Sequence, residues 1–145
     1  MFKHILVATD GSELSEAAIR KGIQLASVVN ARVTGIYVAP EVRYYSYETE
    51  IPVHVKEQSA RHYKALTEKY LAAIAKAAGE AGVPCDTVSE VNDQPHESII
   101  AVAEARGCDL IVMASHGRRG VKGLLLGSET QKVLTHSKVP VLVIR

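Results

Sequence analysis

The strict alternation of β-type and helical segments along the 145 residues is the feature that most constrains the fold of this chain. Short runs of β-branched and apolar residues predict five strands, and the amphipathic segments between them predict four helices. The predicted strands are Ile5–Thr9, Ala31–Ala39, Cys85–Val91, Asp109–Ala114 and Val139–Ile144. Parallel strands that are joined by helices need those helices on both faces of one sheet. The sequence therefore predicts the α/β class, with an open, doubly wound, five-stranded parallel sheet.

Right-handed crossovers leave few arrangements for five parallel strands, and the order 3-2-1-4-5 is the natural doubly wound one. Cys85–Val91 alternates between apolar and polar residues, which predicts an edge strand. Asp109–Ala114 is a continuous apolar run, typical of a strand that is buried on both faces. The chain has the length of one domain, and we expect residues 1–145 to form it.

Four segments carry helical spacing or helix-start signals. The first is Leu14–Val29, and a third is predicted at Pro95–Arg106. Between them a longer helix, with Tyr63, Leu66 and Tyr70 at helical spacing, ends before Gly82. A short helix is predicted to start at Ser128, where Gln131 three residues later predicts a capping box.

The composition agrees with a sheet that is covered on both faces. The chain is 47% hydrophobic, but only 5% of its residues are aromatic and none is Trp. We therefore expect an aliphatic core. Cys85 and Cys108 fit no zinc pattern and are interpreted as small reduced thiols, with a disulfide or redox role as the alternative. The Tyr44–Tyr47 cluster is interpreted as anchoring a long insert, with a lid or an interface patch as alternatives.

Charge and hydropathy exclude several classes of function. A formal net charge of +1 argues against a nucleic-acid-binding protein, which usually has a strongly basic face. No apolar run approaches the roughly 18 residues that a membrane span needs. The first residues carry no cleavage-site pattern of a signal peptide. We therefore expect a cytoplasmic protein with neither nucleic acid nor membrane among its partners.

Two segments are predicted to meet where ligands bind in this class of sheet. The ligand lies beyond the carboxyl ends of the strands, at the point where the strand order reverses. With the order 3-2-1-4-5 this switch point separates the first and fourth strands. The segments there are Ala8–Gly11 and Met113–Gly117.

The segment after the fourth strand has the composition of an anion-binding loop. Four glycines between Gly117 and Gly127 allow backbone N–H groups to approach an anion, and Arg118, Arg119 and Lys122 add positive charge. The helix that follows Gly127 has an amino end that attracts phosphate. A basic surface loop followed by an ordinary helix cap is the alternative interpretation.

Two familiar phosphate-binding motifs are missing. No G-x-G-x-x-G follows the first strand and no G-x-x-x-x-G-K-[ST] occurs, so neither a dinucleotide fingerprint nor a Walker A loop is supported. Asp10 would repel a phosphate and better suits a sugar hydroxyl, a base or the water shell of Mg²⁺. The phosphates are therefore expected at the glycine loop and the base near Val38. His116 is interpreted as a hydrogen-bonded loop residue, with a phosphate contact as the alternative.

Three blocks of the sequence resemble the universal stress protein family. They are Ile5–Ser12, Asp109–Arg118, and the ending formed by Leu126–Ser128 and Pro140–Val143. The blocks occur in order over the whole chain and are more specific together than any one of them. The resemblance implies an adenine nucleotide alpha hydrolase-like fold with the strand order above. It also implies a homodimer that pairs through the last strand, Val139–Ile144.

Some members of that family bind ATP and others do not. The ATP-binding members are similar to the pattern G-x-x-G, nine residues, G-[ST]. This chain has Ala114-x-x-Gly117, the nine residues Arg118–Leu126, and Gly127-Ser128. Ala114 thus departs by one methyl group, which matters if the position needs close backbone approach or a positive φ. Because an alanine at a strand end can keep a negative φ, ATP binding remains the favoured interpretation.

The resemblance also implies which residues bind the nucleotide. Thr9, Asp10 and Val38 would hold adenosine, and Met113 would pack on the ribose or adenine. Phosphates would be held largely by backbone N–H groups between Gly117 and Thr130. The full implied set is Ala8, Thr9, Asp10, Val38, Met113, Ala114, His116, Gly117, Arg118, Gly127, Ser128, Glu129 and Thr130. Glu129 is expected either to point away while its N–H binds, or to disfavour ATP relative to AMP or ADP. Mg²⁺ would arrive with the phosphates and not on a side chain.

The sequence thus predicts a stress-response and signalling module that binds ATP, or AMP or ADP, and acts by changing its conformation or its contacts with an unidentified protein partner. A nucleotide-free dimeric interaction protein of the same family is one alternative. A slow ATPase or an autophosphorylating enzyme is the other, and no catalytic residue can be assigned from the sequence.

Overall fold

The computed structural model describes residues 1–42, 51–117 and 126–145. Its elements in chain order are β1 (His4–Thr9), α1 (Glu13–Val29), β2 (Arg32–Ala39), α2 (Val53–Glu80), β3 (Cys85–Val91), α3 (Pro95–Ala105), β4 (Leu110–Ala114), α4 (Ser128–His136) and β5 (Val141–Ile144). The Tyr44–Tyr47 cluster and Arg118, Arg119 and Lys122 lie outside the described residues. No helix of the described ranges is both long and apolar enough to cross a membrane.

The five strands form one parallel sheet in the order β3-β2-β1-β4-β5, which confirms the predicted fold class and strand order. β1 is central, because Val7 is paired with Gly35 of β2 on one side and with Val112 of β4 on the other. β3 lies at an edge, as its alternating pattern predicted. The carboxyl ends of β1 and β4 are therefore neighbours at the switch point.

The side chains of β1 alternate between two aliphatic cores. Ile5 and Val7 pack with residues of α1 and α2, whereas Leu6 and Ala8 pack with residues of α3 and α4. Both cores consist of aliphatic and other non-aromatic side chains, as predicted. The buried aromatic residues of the described chain are Tyr37 and Tyr70, whose rings meet edge-to-face with centroids 5.1 Å apart.

The two cysteines are free thiols, Cys108 buried and Cys85 half-buried. Burial and the nearby Asp86 carboxylate raise the pKa of Cys108 to about 11, and the same two causes raise the pKa of Cys85. Because the thiolate is the reactive form, both side chains are chemically quiet at neutral pH. This agrees with their interpretation as small reduced thiols.

The predicted capping box at the start of α4 is wrong. Gly127 is the N-cap residue, and no side chain caps the helix. The Gln131 side chain donates instead to the Leu126 carbonyl at 3.2 Å. Ser128 is already the first helical residue, so its hydroxyl does not occupy the capping position.

The last strand begins at Val141, two residues later than predicted. The Val139 N–H donates to Ser137 Oγ at 3.0 Å, which keeps this residue in a turn. Pro140 has no N–H to contribute to a sheet ladder. The other strand boundaries agree with the prediction within about one residue.

A polar network ties together the amino ends of three strands. His4 Nδ1 donates to the Arg106 carbonyl at 3.2 Å, and its Nε2 lies 2.7 Å from Thr34 Oγ1. The Thr34 hydroxyl donates to Asp86 Oδ1 at 2.6 Å, and the Arg106 guanidinium pairs with the other oxygen of that carboxylate. Burial and the Arg32 guanidinium lower the pKa of His4, so the ring is neutral in the folded protein. This network lies at the opposite end of the sheet from the switch point.

Asp109 joins this end of the sheet and makes the fold sensitive to acid. Its carboxylate accepts the backbone N–H groups of Lys3 and His4 at 2.8 and 3.0 Å. Burial opposes ionisation, but these hydrogen bonds outweigh it and lower the pKa of Asp109 below 3.8. A folded-state pKa below the unfolded value means that the stabilisation is present above about pH 4 and is lost as the pH falls through the folded-state pKa.

Asp109→Asn is expected to lower the free energy of unfolding by about 1–2 kcal/mol near pH 7, because one of the two N–H donors would face an amide NH₂. The difference between wild type and variant should be smaller at an acidic pH below the folded-state pKa of Asp109, where the wild-type carboxyl group is protonated as well. Urea denaturation followed by circular dichroism at both pH values measures it. A difference that stays constant over this range would contradict the assignment.

Candidate functional site

A cleft of about 680 Å³ opens at the carboxyl ends of the strands, at the switch point between β1 and β4. Every predicted site residue that the structure describes lines this cleft: Ala8, Thr9, Asp10, Val38, Met113, Ala114, His116, Gly117, Gly127, Ser128, Glu129 and Thr130. Arg118 lies outside the described residues. The fold thus gathers segments that are more than a hundred residues apart in the chain.

The turn after β1 is held by short-range hydrogen bonds. Asp10 Oδ1 accepts the Ser12 N–H at 3.0 Å and the Ser15 hydroxyl at 2.8 Å. Thr9 Oγ1 accepts the Gly11 N–H at 3.1 Å. These contacts fix the Asp10 carboxylate at the edge of the cleft.

Gly117 is required by the closeness of the two strand ends. A Cβ atom on Gly117 would overlap sterically with Oδ2 of Asp10. The requirement is one of space, because the φ angle of Gly117 does not lie in the left-handed region. The backbone after β4 therefore passes directly against the Asp10 carboxylate, and any side chain at this position would displace one or the other.

The amino end of α4 faces the cleft with backbone donors. The Gly127 N–H donates to the Ser115 carbonyl at 2.6 Å, which fixes the entry to the helix. A Cβ atom on Gly127 would lie 3.1 Å from a backbone atom of the turn after β4, so close approach again favours glycine. The first N–H groups of a helix have no intrahelical acceptor, and here they belong to Ser128, Glu129 and Thr130. Together with the helix dipole, they make this end suitable for an anion.

Ala114 takes the place of the first motif glycine without backbone strain. It pairs with Ile144 in the ladder between β4 and β5, and its φ is not in the left-handed region. Its carbonyl accepts the Thr130 hydroxyl at 2.9 Å, a buried contact that ties α4 to β4. The Thr130 hydroxyl is therefore committed inside the protein, which leaves the backbone N–H of Thr130 as its donor at the amino end of α4.

The Glu129 side chain turns away from the amino end of its own helix. Its Oε2 accepts the backbone N–H of His96 at 2.9 Å and the ring Nδ1–H of His96 at 3.0 Å. Its Oε1 accepts the Lys132 ammonium group at 3.2 Å. Burial opposes the charge, but these contacts outweigh it and lower the pKa of Glu129, so the carboxylate is ionised at neutral pH. The Glu129 side chain therefore points away from the amino end of α4, which was the first of the two expectations for this residue.

His116 directly precedes Gly117 and lines the cleft. Its Nδ1 lies 3.3 Å from Ser115 Oγ, which agrees with its interpretation as a hydrogen-bonded loop residue. The residue also borders a neighbouring open groove of about 660 Å³ that includes Ser12 and Arg20.

Side chains of two helices and of the segment after β3 also line the cleft, although no sequence pattern assigned them to it. They are Tyr63, Leu66 and Tyr70 of α2, Asn92 and Asp93 after β3, and Pro95 and Ile99 of α3. The spacing of Tyr63, Leu66 and Tyr70 indicated a buried helix face but carried no signal of what that face covers. Only the packing of α2 against β2, where the Tyr70 and Tyr37 rings meet, could have assigned these three α2 residues to the site.

Known proteins are similar to this chain over its whole length. The model of the universal stress protein family matches residues 1–145. The chain is 32% identical over 149 residues to universal stress protein YxiE of Bacillus subtilis, and the match covers 100% of both proteins. The solved structure of hypothetical protein MJ0577, from Methanocaldococcus jannaschii, is 33% identical with a TM-score of 0.78, over 99% of this chain and 96% of that one.

Two further solved structures are similar at lower identity. One is a universal stress protein in complex with cAMP, 24% identical with a TM-score of 0.68, over 99% of this chain and 97% of that one. The other, from Archaeoglobus fulgidus in complex with dAMP, is 16% identical with a TM-score of 0.66, over 100% and 98%. At these identities the likeness extends to the fold alone.

Proposed function

Because this chain belongs to the universal stress protein family, we propose that it is an adenine-nucleotide-binding module of the stress response, in which the bound nucleotide alters its conformation or its protein contacts. The observation that carries the proposal is the cradle formed by Gly117, Gly127 and the first N–H groups of α4. The cradle borders a cleft of about 680 Å³, within the usual range of small-molecule sites. That proteins of this fold were solved with cAMP and dAMP supports an adenine nucleotide as the ligand class.

We assign the adenosine to the half of the cleft nearer β2. Val38 and Met113 supply apolar surface for the base and the ribose, and both line the cleft. The Asp10 carboxylate, fixed by its hydrogen bonds to Ser12 and Ser15, is suited to accept a ribose hydroxyl or a base N–H. Like-charge repulsion would keep a phosphate off the Asp10 carboxylate itself and so favour its binding toward the amino end of α4.

The phosphates are assigned to the amino end of α4. The backbone N–H groups of Ser128, Glu129 and Thr130 would donate to the phosphate oxygens, and His116 lines the same cleft. Mg²⁺ would be held by the phosphates of ATP or ADP, with no protein side chain as its direct ligand.

Isothermal titration with AMP, ADP and ATP, each with Mg²⁺, tests the proposal, with GTP as the control for the base. Binding of the adenine nucleotides but not GTP is expected. At a ligand concentration of about 100 times Kd the free energy of unfolding should rise by about 2.7 kcal/mol. No heat and no thermal shift at millimolar nucleotide would refute the proposal and favour a nucleotide-free interaction protein. Phosphate release from ATP that a Gly127→Ala variant lacks would instead identify a slow ATPase.

We also propose a homodimer that pairs through the last strand. Within the described residues β5 pairs only with β4, and Leu142 at this sheet edge is 38% exposed. An edge strand with exposed apolar side chains is suited to pairing with a second copy. Leu142→Lys is therefore expected to give a monomer in analytical ultracentrifugation at concentrations where the wild type is a dimer. A monomeric wild type would exclude this interface.

A further inference from the structure

Glu129 places a negative charge in the first turn of the helix that is proposed to bind phosphate. A carboxylate in this turn is itself attracted to the first N–H groups and to the dipole of its own helix. If it were free to rotate, it would compete with a phosphate for the same donors and repel it. The site can therefore bind phosphate well only if the carboxylate is held elsewhere.

The structure holds the carboxylate at the amino end of α3. The α3 N-cap residue, Gln94, makes no side-chain capping bond. Glu129 Oε2 accepts the backbone N–H of His96 at 2.9 Å and thus supplies an acceptor for α3 from another helix. Lys132 lies one turn along α4 from Glu129. Its ammonium group donates to Glu129 Oε1 at 3.2 Å and to Gln94 Oε1 at 3.3 Å.

The His96 ring is the specific part of this restraint. Its Nδ1–H donates to Glu129 Oε2 at 3.0 Å, and the side chain is 12% exposed. The ring stacks on the His136 ring, with centroids 6.0 Å apart. Glu129 and His136 are seven residues apart on α4 and lie on one face, so the ring is held between two points of the same helix. His96 is not among the described residues that line the cleft, so it acts only through Glu129.

We propose that His96 is a positioning residue for phosphate binding: its ring holds the Glu129 carboxylate on α3 and so keeps the N–H groups of α4 available to the nucleotide. This inference rests on the proposed function, because it assigns a role only if the α4 end binds phosphate. It predicts that the His96 ring matters for the phosphate part of the ligand and not for the nucleoside part.

His96→Ala tests this, with His96→Asn as the matched control, since the asparagine amide can donate from nearly the same position as Nδ1. The dissociation constants of AMP and of adenosine are measured by calorimetry for each variant. We expect His96→Ala to weaken AMP by about tenfold with adenosine unchanged, because a hydrogen bond to a charged group is lost. His96→Asn should bind AMP within about threefold of wild type, and the double variant His96→Ala/Glu129→Gln should recover most of the loss.

Three results would overturn the inference. The first is an AMP affinity of His96→Ala equal to that of wild type. The second is an equal loss of affinity for AMP and for adenosine that Glu129→Gln does not repair, because such a loss would show that the His96 ring has only a structural role. A wild type that binds neither ligand would refute the proposed function itself. Should His96→Ala unfold, His96→Phe keeps a ring against His136 without a donor and serves for the same comparison.

Discussion

Replacing Gly117 with alanine is expected to lower nucleotide affinity by about 100-fold, or about 2.8 kcal/mol of binding free energy, because the added methyl group has no space beside Asp10. The added Cβ would overlap sterically with Oδ2 of Asp10. Either the carboxylate must leave its hydrogen bonds to Ser12 and Ser15, or the turn after β4 must move away from β1. In both cases the cradle shifts relative to the adenosine half of the cleft.

Gly79→Ala is the matched control for this substitution. A Cβ on Gly79, in α2, would meet nothing within 4 Å. It is expected to leave nucleotide affinity unchanged and to raise the free energy of unfolding by about 0.5–1 kcal/mol, as alanine for glycine does in a helix. Calorimetric titration and urea denaturation of both variants make the comparison. An affinity of Gly117→Ala within about threefold of wild type would contradict the proposed position of the phosphates.

The second large effect concerns the packing of α2 on the sheet. Ile74 is fully buried against Gly35 of β2, where an added Cβ would lie 2.8 Å from Ile74 Cδ1 and Cγ2. Ile74→Ala is expected to lower the free energy of unfolding by about 2–5 kcal/mol, because it leaves a cavity. Gly35→Ala is expected to lower it by about 1–3 kcal/mol, because it overfills the same space.

The double variant Gly35→Ala/Ile74→Ala should be less destabilised than the sum of the two single variants, by about 0.5–3 kcal/mol, since the new methyl group occupies part of the cavity. Urea denaturation of the four proteins gives the coupling free energy directly. Strict additivity would show that the two residues do not share the space described here. Either single loss is a large fraction of the roughly 5–15 kcal/mol by which a domain of this kind is stable.

The fold could be predicted because each strand has a local signature. Leu110–Ala114 is apolar throughout and is buried on both faces, as a central parallel strand requires. Cys85–Val91 alternates, and it lies at the edge. The start of α4 could not be predicted in detail, because Ser128 and Gln131 match a capping pattern whose use depends on the approach of the β4 turn to Gly127.

The candidate site could be located because strand order alone defines the switch point. Ala8–Asp10 line the cleft that this rule predicted, together with Met113, Ala114, His116 and Gly117. Tyr63 and Tyr70 could not be assigned to it, since helical periodicity reports that a face is buried and not what lies opposite. The direction of the Glu129 side chain was open for the same reason, because its partner His96 is 33 residues away in the chain.

By itself, the sequence determined the parallel aliphatic sheet, the order of its strands and the glycines at the switch point. These follow from periodicity and turn chemistry, which concern neighbouring residues, and from the handedness of crossovers, which concerns neighbouring elements of the chain. Only the tertiary structure decided which side chains meet across it: Gly117 against Asp10, Glu129 on His96, and His4 with Thr34 and Asp86. Such contacts join distant parts of the chain, and their geometry depends on how helices seat on the sheet, a property that no local pattern carries.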